Sequence, residues 1–408
     1  MQDFTEPVPC QKRPLKMPKT TRQSIATRVI ALAAPVLLTA CLFGASATTV
    51  SASTGTASTG TAKVGRLDSI SCPTTTFCMA VGSGSDRLSP TNVTNAVLEY
   101  DNGTWFTAPF ANPSSTDTNW QTVSCSSPTF CVAAGVTAGL DVAVAEFTGT
   151  WTVFRGSTIH YGQFASSMQA SCSGDVCVIG GYANASTLIV TDSSVSSEAL
   201  PVPGGDTVKD MGFWCGSTKL CRAAGYATDS KGVTVNLTFA WDGTSWSTWG
   251  KQTYAGVLGT PLECSTSSFC ITWNALLKAN VMSIDHYNGS TWSVENTSFT
   301  GHEPDTDPAA LSCVSSTFCV QAGQFYNNDA TSFLPMAYVM SGSTWRMSNL
   351  PTIGKFGWLA GVSCASTTDC YAVGMYTTNA TVAGATWLSE LLHYNGSSWA
   401  RITVSGLN

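Results

Sequence analysis

Charged side chains are scarce in this 408-residue chain, since only 11% of its residues are Asp, Glu, Lys or Arg, against about 25% in an average soluble protein. Six of the 19 basic residues and two of the 25 acidic ones lie within the first 41 residues, so residues 42–408 carry a net charge of about −10. That part also contains no run of Lys or Arg. Its composition argues against nucleic acid and against an anionic membrane surface as partners.

Helical periodicity is lacking beyond the N-terminal segment. Residues 65–408 consist of short stretches rich in Val, Thr and aromatic residues, separated by Gly, Asn, Asp and Ser. Such stretches are typical of β-strands joined by tight turns. We therefore predict an all-β fold for this part of the chain.

A cysteine pair recurs seven times in the same region. Each pair encloses five residues, or four in the third copy, and successive first cysteines are 43 to 53 residues apart. The pairs are Cys72 with Cys78, Cys125 with Cys131, Cys172 with Cys177, Cys215 with Cys221, Cys264 with Cys270, Cys313 with Cys319, and Cys364 with Cys370. A glycine stands four positions after the second cysteine in every copy except the fifth, which has Asn274.

A second motif follows in six of the copies: a tight turn before a tryptophan, as in YDNGTW at 100–105 and YNGSSW at 394–399. Asn-Gly and Asp-Gly tolerate positive φ and favour hairpins. Each repeat therefore holds four strands, and seven repeats predict a seven-bladed β-propeller with four-stranded antiparallel blades. A β-helix is the alternative, but its coils are usually shorter and lack these hairpins. The repeated tryptophans are expected to pack between blades: Trp105, Trp151, Trp246, Trp292, Trp345 and Trp399.

The repeated cysteines are interpreted as structural disulfides, one in each blade. A four-cysteine zinc site needs two pairs to meet, whereas each repeat holds one pair and blades are radially separated. A catalytic dithiol is usually a single Cys-x-x-Cys motif in one place. Facing cysteines on adjacent hairpin strands, by contrast, come within the Cα separation that a disulfide requires.

The N-terminus has the pattern of an export signal, which fits the oxidising compartment that disulfides require. Six basic residues lead into the apolar run VIALAAPVLLTACLFGASA at 29–47, the layout of a signal peptide. Within it, LTAC at 38–41 resembles the lipobox of bacterial lipoproteins, whose cysteine, here Cys41, receives lipid. Cleavage after Ala47 and a retained signal anchor are the alternatives.

Residues 42–64 are dominated by Ser, Thr, Gly and Ala and predict a flexible tether. The expected organisation is a signal peptide with a possible lipobox at 1–41, the tether at 42–64 and the propeller at 65–408. We expect a secreted protein or cell-surface lipoprotein that meets a membrane only through its N-terminal lipid.

The repeat SC-x5-C-x-A-x-G, followed by NG-x-x-W, resembles the repeats of secreted β-propeller proteins of actinobacteria, over residues 65–408. The DG-x-x-W turn at Asp242, Gly243 and Trp246 is similar to the Asp-boxes of sialidase-type propellers. Asp-boxes are structural turns, so the resemblance implies no activity. Sialidases hold the substrate carboxylate with three arginines, and no motif of that kind surrounds the few arginines of residues 42–408.

Binding residues are expected on one face of the propeller. The turns between first and second strands and between third and fourth strands are short and repetitive, whereas the connections on the opposite face are long and varied, as binding loops usually are. Exposed aromatic rings suit sugars or protein partners. The candidate ligand-binding residues in those connections are Tyr161, Phe164, Tyr254, Phe356 and Trp358.

A calcium site is the only cofactor prediction. Glu303, Asp305 and Asp307 form the one dense acidic cluster in these connections and offer the oxygen ligands that Ca²⁺ prefers. A solvated loop broken by prolines is the competing interpretation. No set of catalytic residues is assigned.

Two functions remain open beside the alternative of a structural cell-envelope protein with no small ligand. The first is an extracellular scaffold that binds a glycan or a protein, and the second is a hydrolase or lyase acting on polysaccharide. Because the repeats are in register with both chain ends, we also predict that each blade is one contiguous segment, so the first and last blades share no sheet.

Overall fold

The computed structural model describes residues 47–49, 66–83, 95–108, 118–137, 141–154, 168–181, 185–191, 194–249, 256–273, 284–295, 306–326, 332–352, 354–382, 385–405 and 407. The predicted signal peptide at 1–41 lies outside these ranges. No helix in the described ranges is long and apolar enough to cross a membrane.

The described strands between residues 66 and 401 form seven antiparallel four-stranded sheets, each built from one contiguous segment. The first three blades comprise β2 Arg66–Thr74, β3 Phe77–Ser83, β4 Asn95–Asp101 and β5 Thr104–Thr107; β6 Thr118–Ser127, β7 Phe130–Thr137, β8 Val142–Phe147 and β9 Trp151–Phe154; β10 Met168–Ser173, β11 Val176–Gly181, β12 Ser186–Thr191 and β13 Ser194–Ala199. The third blade therefore forms without the turn motif that its sequence lacks.

The remaining four blades follow the same order. They comprise β14 Thr207–Ser217, β15 Leu220–Thr228, β16 Thr234–Trp241 and β17 Trp246–Thr248; β18 Glu263–Thr266, β19 Phe269–Trp273, β20 Ile284–Tyr287 and β21 Trp292–Glu295; β22 Thr306–Ser315, β23 Phe318–Tyr326, β24 Phe333–Ser341 and β25 Thr344–Ser348; β26 Phe356–Ser366, β27 Asp369–Thr377, β28 Leu388–Tyr394 and β29 Trp399–Arg401. The short strand β1, Ala47–Thr49, pairs with the outer edge of β9 and lies within the predicted tether.

The blades follow one another around a closed ring. The first strand of each blade contacts the first strand of the next, and β26 contacts β2. This arrangement confirms the predicted seven-bladed β-propeller. It also confirms that the blades are contiguous, because β29 pairs only with β28 among the described strands.

The hydrophobic core is divided among the seven junctions between blades. Each buried cluster combines side chains of two neighbouring blades, as Met79 and Val97 of the first blade do with Ala133 of the second. The repeated tryptophans contribute to these clusters, as predicted, and Trp345 is only 2% exposed. The junction of the first and last blades is also sealed by Val404 and Leu407 of the C-terminal tail.

The seven predicted disulfides are all formed, one in each blade. Each joins facing positions of the first and second strands, with Cα atoms 3.9 to 4.1 Å apart. The bonded pairs are Cys72 and Cys78, Cys125 and Cys131, Cys172 and Cys177, Cys215 and Cys221, Cys264 and Cys270, Cys313 and Cys319, and Cys364 and Cys370. The structure therefore confirms the interpretation of these cysteines as scaffold.

The tight turns lie at the same end of the blades as the disulfides. Asx side chains close the third-to-fourth-strand turns of the fourth, fifth and seventh blades. Asp242 Oδ1, for example, accepts hydrogen bonds from the N–H groups of Thr244 and Ser245 at 2.8 and 2.9 Å, while Gly243 adopts a φ of 101°. The Asp-Gly and Asn-Gly signals thus mark real hairpin turns.

Candidate functional site

A central cavity of about 850 Å³ runs between the first strands of all seven blades. Its volume lies within the range of about 300 to 1,000 Å³ that is typical of small-molecule sites. We call its two ends the hairpin end, where the disulfides lie, and the mouth, where the first strands begin. The residues of the hairpin end repeat from blade to blade, whereas those of the mouth vary.

At the hairpin end, side chains preceding the first cysteine of a pair link neighbouring blades. The Cys125 N–H donates to Ser71 Oγ at 2.9 Å, and the Cys72 N–H donates to Ser363 Oγ at 2.9 Å across the junction that closes the ring. The same bond joins the second to the third, the third to the fourth and the sixth to the seventh blade. These bonds occupy N–H groups of edge strands that would otherwise lack partners.

Two blades depart from this serine ring. Trp214 stands at the serine position of the fourth blade, and Glu263 stands there in the fifth. Glu263 Oε1 accepts the N–H of Cys313 at 3.5 Å, a long contact. The fifth blade therefore presents a carboxyl group to the cavity where five of the blades present a serine hydroxyl group.

Nearer the mouth, the first strands bulge against the repeat glycines. The pairing of β2 with β3 shifts at Asp68, and that of β6 with β7 shifts at Gln121. A Cβ atom on Gly82 would lie 2.2 Å from the carbonyl oxygen of Arg66, so only glycine allows this approach. Both bulge residues line the cavity. The close approach of the bulged strand explains why a glycine stands four positions after the second cysteine.

Three aromatic rings line the mouth between the sixth and seventh blades: Tyr326, Phe333 and Trp358. We call them the aromatic platform. The ring centroids of Phe333 lie 6.2 Å from Tyr326 and 5.7 Å from Trp358. All three side chains are only partly buried, and all three line the cavity.

Two further aromatic residues support the platform from behind. Trp387 lies 5.3 Å from Trp358 and 6.2 Å from Phe333 between ring centroids, while the buried Phe356 lies 5.6 Å from Phe333. Rings held in this way lose little conformational freedom on binding a ligand. The platform is therefore a rigid surface.

The structure describes only two of the five ligand-binding residues that the sequence predicts. Trp358 and Phe356 belong to this cluster, but both lie in strand β26 and not in a loop, which corrects their expected placement. Tyr161, Phe164, Tyr254 and the lipidation candidate Cys41 lie outside the described residues. Sequence reasoning missed Tyr326, Phe333 and Trp387, which flank second-to-third-strand connections; aromatic residues beside variable loops were the available signal.

The first blade contributes an ion pair, between Arg66 and Asp68, to the mouth of the cavity. Arg66, which is 3% exposed, donates from Nε to Asp68 Oδ2 at 2.8 Å and from Nη2 to Asn119 Oδ1 at 3.2 Å. Asp68 thus balances the charge of Arg66. Among the described residues that line the cavity, Arg66 is the only basic one.

Two carboxyl groups on the wall of the fourth and fifth blades have no such counterion among the described lining residues. Burial raises the pKa of Asp210, against the opposing hydrogen bonds from the Thr260 hydroxyl, at 2.5 Å, and from the Met211 N–H. Burial also raises the pKa of Glu263 to about 8, against the hydrogen bond from the Cys313 N–H. The cavity therefore has a surplus of acidic groups.

The predicted calcium site is not tested by this structure. Glu303 and Asp305 lie outside the described residues, and Asp307 is the second residue of strand β22, with its side chain outside the description. Elsewhere in the described ranges, no three acidic, histidine or cysteine side chains come together as a metal site would require. The Glu303, Asp305 and Asp307 site stays a prediction.

Comparison with protein families and with curated proteins finds no match. Among solved structures, the β-propeller domain of the Trilobed protease from Pyrococcus furiosus, described as having an open velcro topology, is 10% identical, covers 84% of this chain and 98% of its own, and has a TM-score of 0.53. YCF48 bound to D1 peptide is 13% identical, with 81% and 94% covered and a TM-score of 0.46. SapL1 lectin in complex with alpha methyl fucoside is 11% identical, with 67% and 91% covered and a TM-score of 0.44.

The similarity to the Pyrococcus furiosus domain agrees with the class that the fold defines, a β-propeller, and shows nothing narrower. The seven disulfides indicate an extracellular or secreted protein. The resemblances to actinobacterial repeat proteins and to Asp-box propellers stay predictions, since no family matches the chain.

Proposed function

We propose that this protein is an extracellular binding protein that recognises a glycan at the mouth of its central cavity. The observation that carries the proposal is the aromatic platform, three partly exposed rings that line one cavity together with amide and carboxyl side chains. Aromatic rings offer large apolar faces against which sugar rings stack, while amides and carboxylates bind hydroxyl groups.

The polar side chains around the platform suit such a ligand. Gln121 and Gln324 line the same cavity, and Gln324 Nε2 donates to the Tyr326 hydroxyl at 3.1 Å. The amide oxygen of Gln121 is buried and accepts no hydrogen bond from the described part of the protein. The Gln324 amide, which is only partly buried, can bind a sugar hydroxyl group beside the platform.

The proposal is tested on a glycan array with the purified propeller. We expect selective binding that falls at least about tenfold in Trp358→Ala, since one stacked ring contributes on the order of 1 kcal/mol beyond its buried area. Phe106→Ala is the matched control, because Phe106 is 39% exposed on the outer strand β5. Binding to an extracellular protein but to no glycan would contradict the proposal, as would equal losses in both variants.

A polysaccharide-acting hydrolase or lyase is the second candidate. The observation in its favour is that Asp210 and Glu263 line one cavity and both have raised pKa values, because a general acid must hold its proton at the working pH. Monitoring the array ligands for new reducing ends decides this point. Cleavage that is lost in Glu263→Gln would replace the binding proposal.

We also propose that the exported protein is anchored by lipid on Cys41, with residues 42–64 as a tether. Support comes from the basic and apolar pattern of residues 1–41 and from the extracellular compartment that seven disulfides require. Intact mass of the mature protein tests this: a diacylglycerol-modified N-terminal Cys41 is expected. An unmodified N-terminus at Thr48 would mean simple secretion.

A further inference from the structure

We infer that the ligand of the central cavity carries protonated amino groups, so that the preferred glycan is an amino sugar with free amines. This inference rests on the proposed glycan site and names the class of sugar that it selects. It follows from the carboxyl groups on the wall of the fourth and fifth blades and from the aromatic rings that line the same cavity at the sixth and seventh blades.

The cavity wall holds carboxyl groups that no described basic side chain balances. Asp68 is compensated by Arg66 at 2.8 Å, but the polar contacts of Asp210 are the Thr260 hydroxyl and a backbone N–H, both uncharged. Glu263 accepts one backbone N–H, at 3.5 Å. A carboxyl group taken out of water without a counterion is costly to ionise. A cation from the ligand would supply the counterion that the described lining residues lack.

The aromatic platform suits the same cation. The faces of Trp, Tyr and Phe carry partial negative charge and attract ammonium groups within about 6 Å of the ring centroid. Tyr326, Phe333 and Trp358 line the cavity that Asp210 also lines. The ring carbons of an amino sugar and its ammonium group would therefore both find partners there.

Long-range charge acts in the same direction. Residues 42–408 carry a net charge of about −10, which attracts cations and repels carboxylated or sulfated glycans. Arg66, the one basic side chain of the described lining, is 3% exposed and bonded to Asp68. Acidic sugars are accordingly expected to bind poorly.

The test compares two oligosaccharides of equal length that differ only in their amines: β-1,4-linked glucosamine and β-1,4-linked N-acetylglucosamine. Calorimetry at neutral pH and low salt is expected to give about tenfold tighter binding of the glucosamine oligomer, as for one hydrogen bond to a charged group. Added salt should weaken binding of the glucosamine oligomer and leave binding of its acetylated counterpart unchanged.

Variants locate the effect. Asp210→Asn removes the charge and keeps the shape, so it should bring the affinity ratio of the two oligomers close to one. Asp175→Asn, on the exposed first-to-second-strand turn of the third blade, should leave the preference intact. Glu263→Gln provides a second test if Asp210→Asn lowers the melting temperature. Trp358→Ala should weaken both oligomers.

Three results would overturn the inference. Equal affinity for the two oligomers would refute amine selection and leave the glycan proposal standing. Binding of neither oligomer, alongside binding of a neutral or acidic glycan on the array, would do the same. Tighter, Asp210-dependent binding of an oligolysine peptide would assign the amine to a protein partner and would overturn the glycan proposal as well.

Discussion

The hairpin end and the mouth of the cavity are built from the same seven strands, yet they differ in how much they vary. At the hairpin end, every blade repeats the disulfide, five blades repeat the serine bonded to the next blade, and three repeat an Asx turn. At the mouth, neighbouring blades carry an arginine, an amide, a carboxyl group or a tryptophan at nearby positions of the first strand. A stable repeated end leaves the other end free to specialise.

Replacing one tryptophan at each end of the cavity should produce the largest difference in stability between the two ends. Trp345→Ala removes a ring that is 2% exposed between the fifth and sixth blades, so we expect the free energy of unfolding to fall by about 3 to 5 kcal/mol. Trp387→Ala, at the mouth, should lower stability by about 1 kcal/mol and weaken ligand binding instead. Chemical denaturation and calorimetry measure both effects; a stable Trp345→Ala protein would contradict this division.

The glycines at the bulges connect the two ends. A Cβ atom on Gly374 would lie 2.0 Å from the carbonyl oxygen of Trp358, so Gly374→Ala should cost about 3 kcal/mol and displace Trp358 from the platform. Gly204→Ala is the control, since nothing described lies within 4 Å of its added carbon. Unfolding midpoints test the stability difference, and binding affinity reports the displacement. Equal midpoints for the two variants would show that the bulge is not required.

The serine ring predicts a smaller effect at its closure. Ser363→Ala leaves the Cys72 N–H without its acceptor at 2.9 Å, with an expected cost of about 1 to 2 kcal/mol. Ser71→Ala breaks the equivalent bond at the junction of the first and second blades. We expect faster hydrogen exchange across the closing junction in Ser363→Ala than across the other junction in Ser71→Ala, because the closing blades share no sheet. Slower exchange at the closure would make it the stronger junction.

The smallest expected change in stability concerns Glu263, the carboxyl residue that stands at a serine position of the ring. Burial raises the pKa of Glu263 from 4.5 to about 8, so the folded protein keeps a proton that the unfolded chain releases. The stability associated with this group is therefore complete below pH 4.5 and is lost as pH rises towards 8. Relative to the wild type, Glu263→Gln should gain on the order of 1 kcal/mol over this interval.

Denaturation of both proteins at the two ends of the pH interval measures that gain. Glu263 lines a cavity that solvent enters, which keeps the expected effect small. Asp175→Asn, on an exposed turn, is the control and should follow the wild type at both pH values. A constant difference between Glu263→Gln and the wild type would contradict the assigned titration.

Much of the fold is predictable from sequence because repetition makes weak signals add. Each cysteine pair or Asn-Gly turn is ambiguous alone, but seven copies at one spacing exclude most alternatives. The residues of the mouth give no repeated signal, because Tyr326, Phe333 and Trp387 do not belong to the repeated motifs. The sequence predicts Trp358 as a binding residue but places it in a loop, because strand β26 begins earlier than the repeat pattern indicates.

The number of blades, the disulfide pairing and the position of the hairpin end can be read from the sequence alone, because they depend on residues close together in the chain. Which first-strand residues meet in the cavity depends on the tertiary structure. Arg66 bonds to Asn119 across 53 positions, and Cys72 meets Ser363 across 291. Such contacts depend on how seven blades close into a ring, and no local pattern of residues encodes that closure.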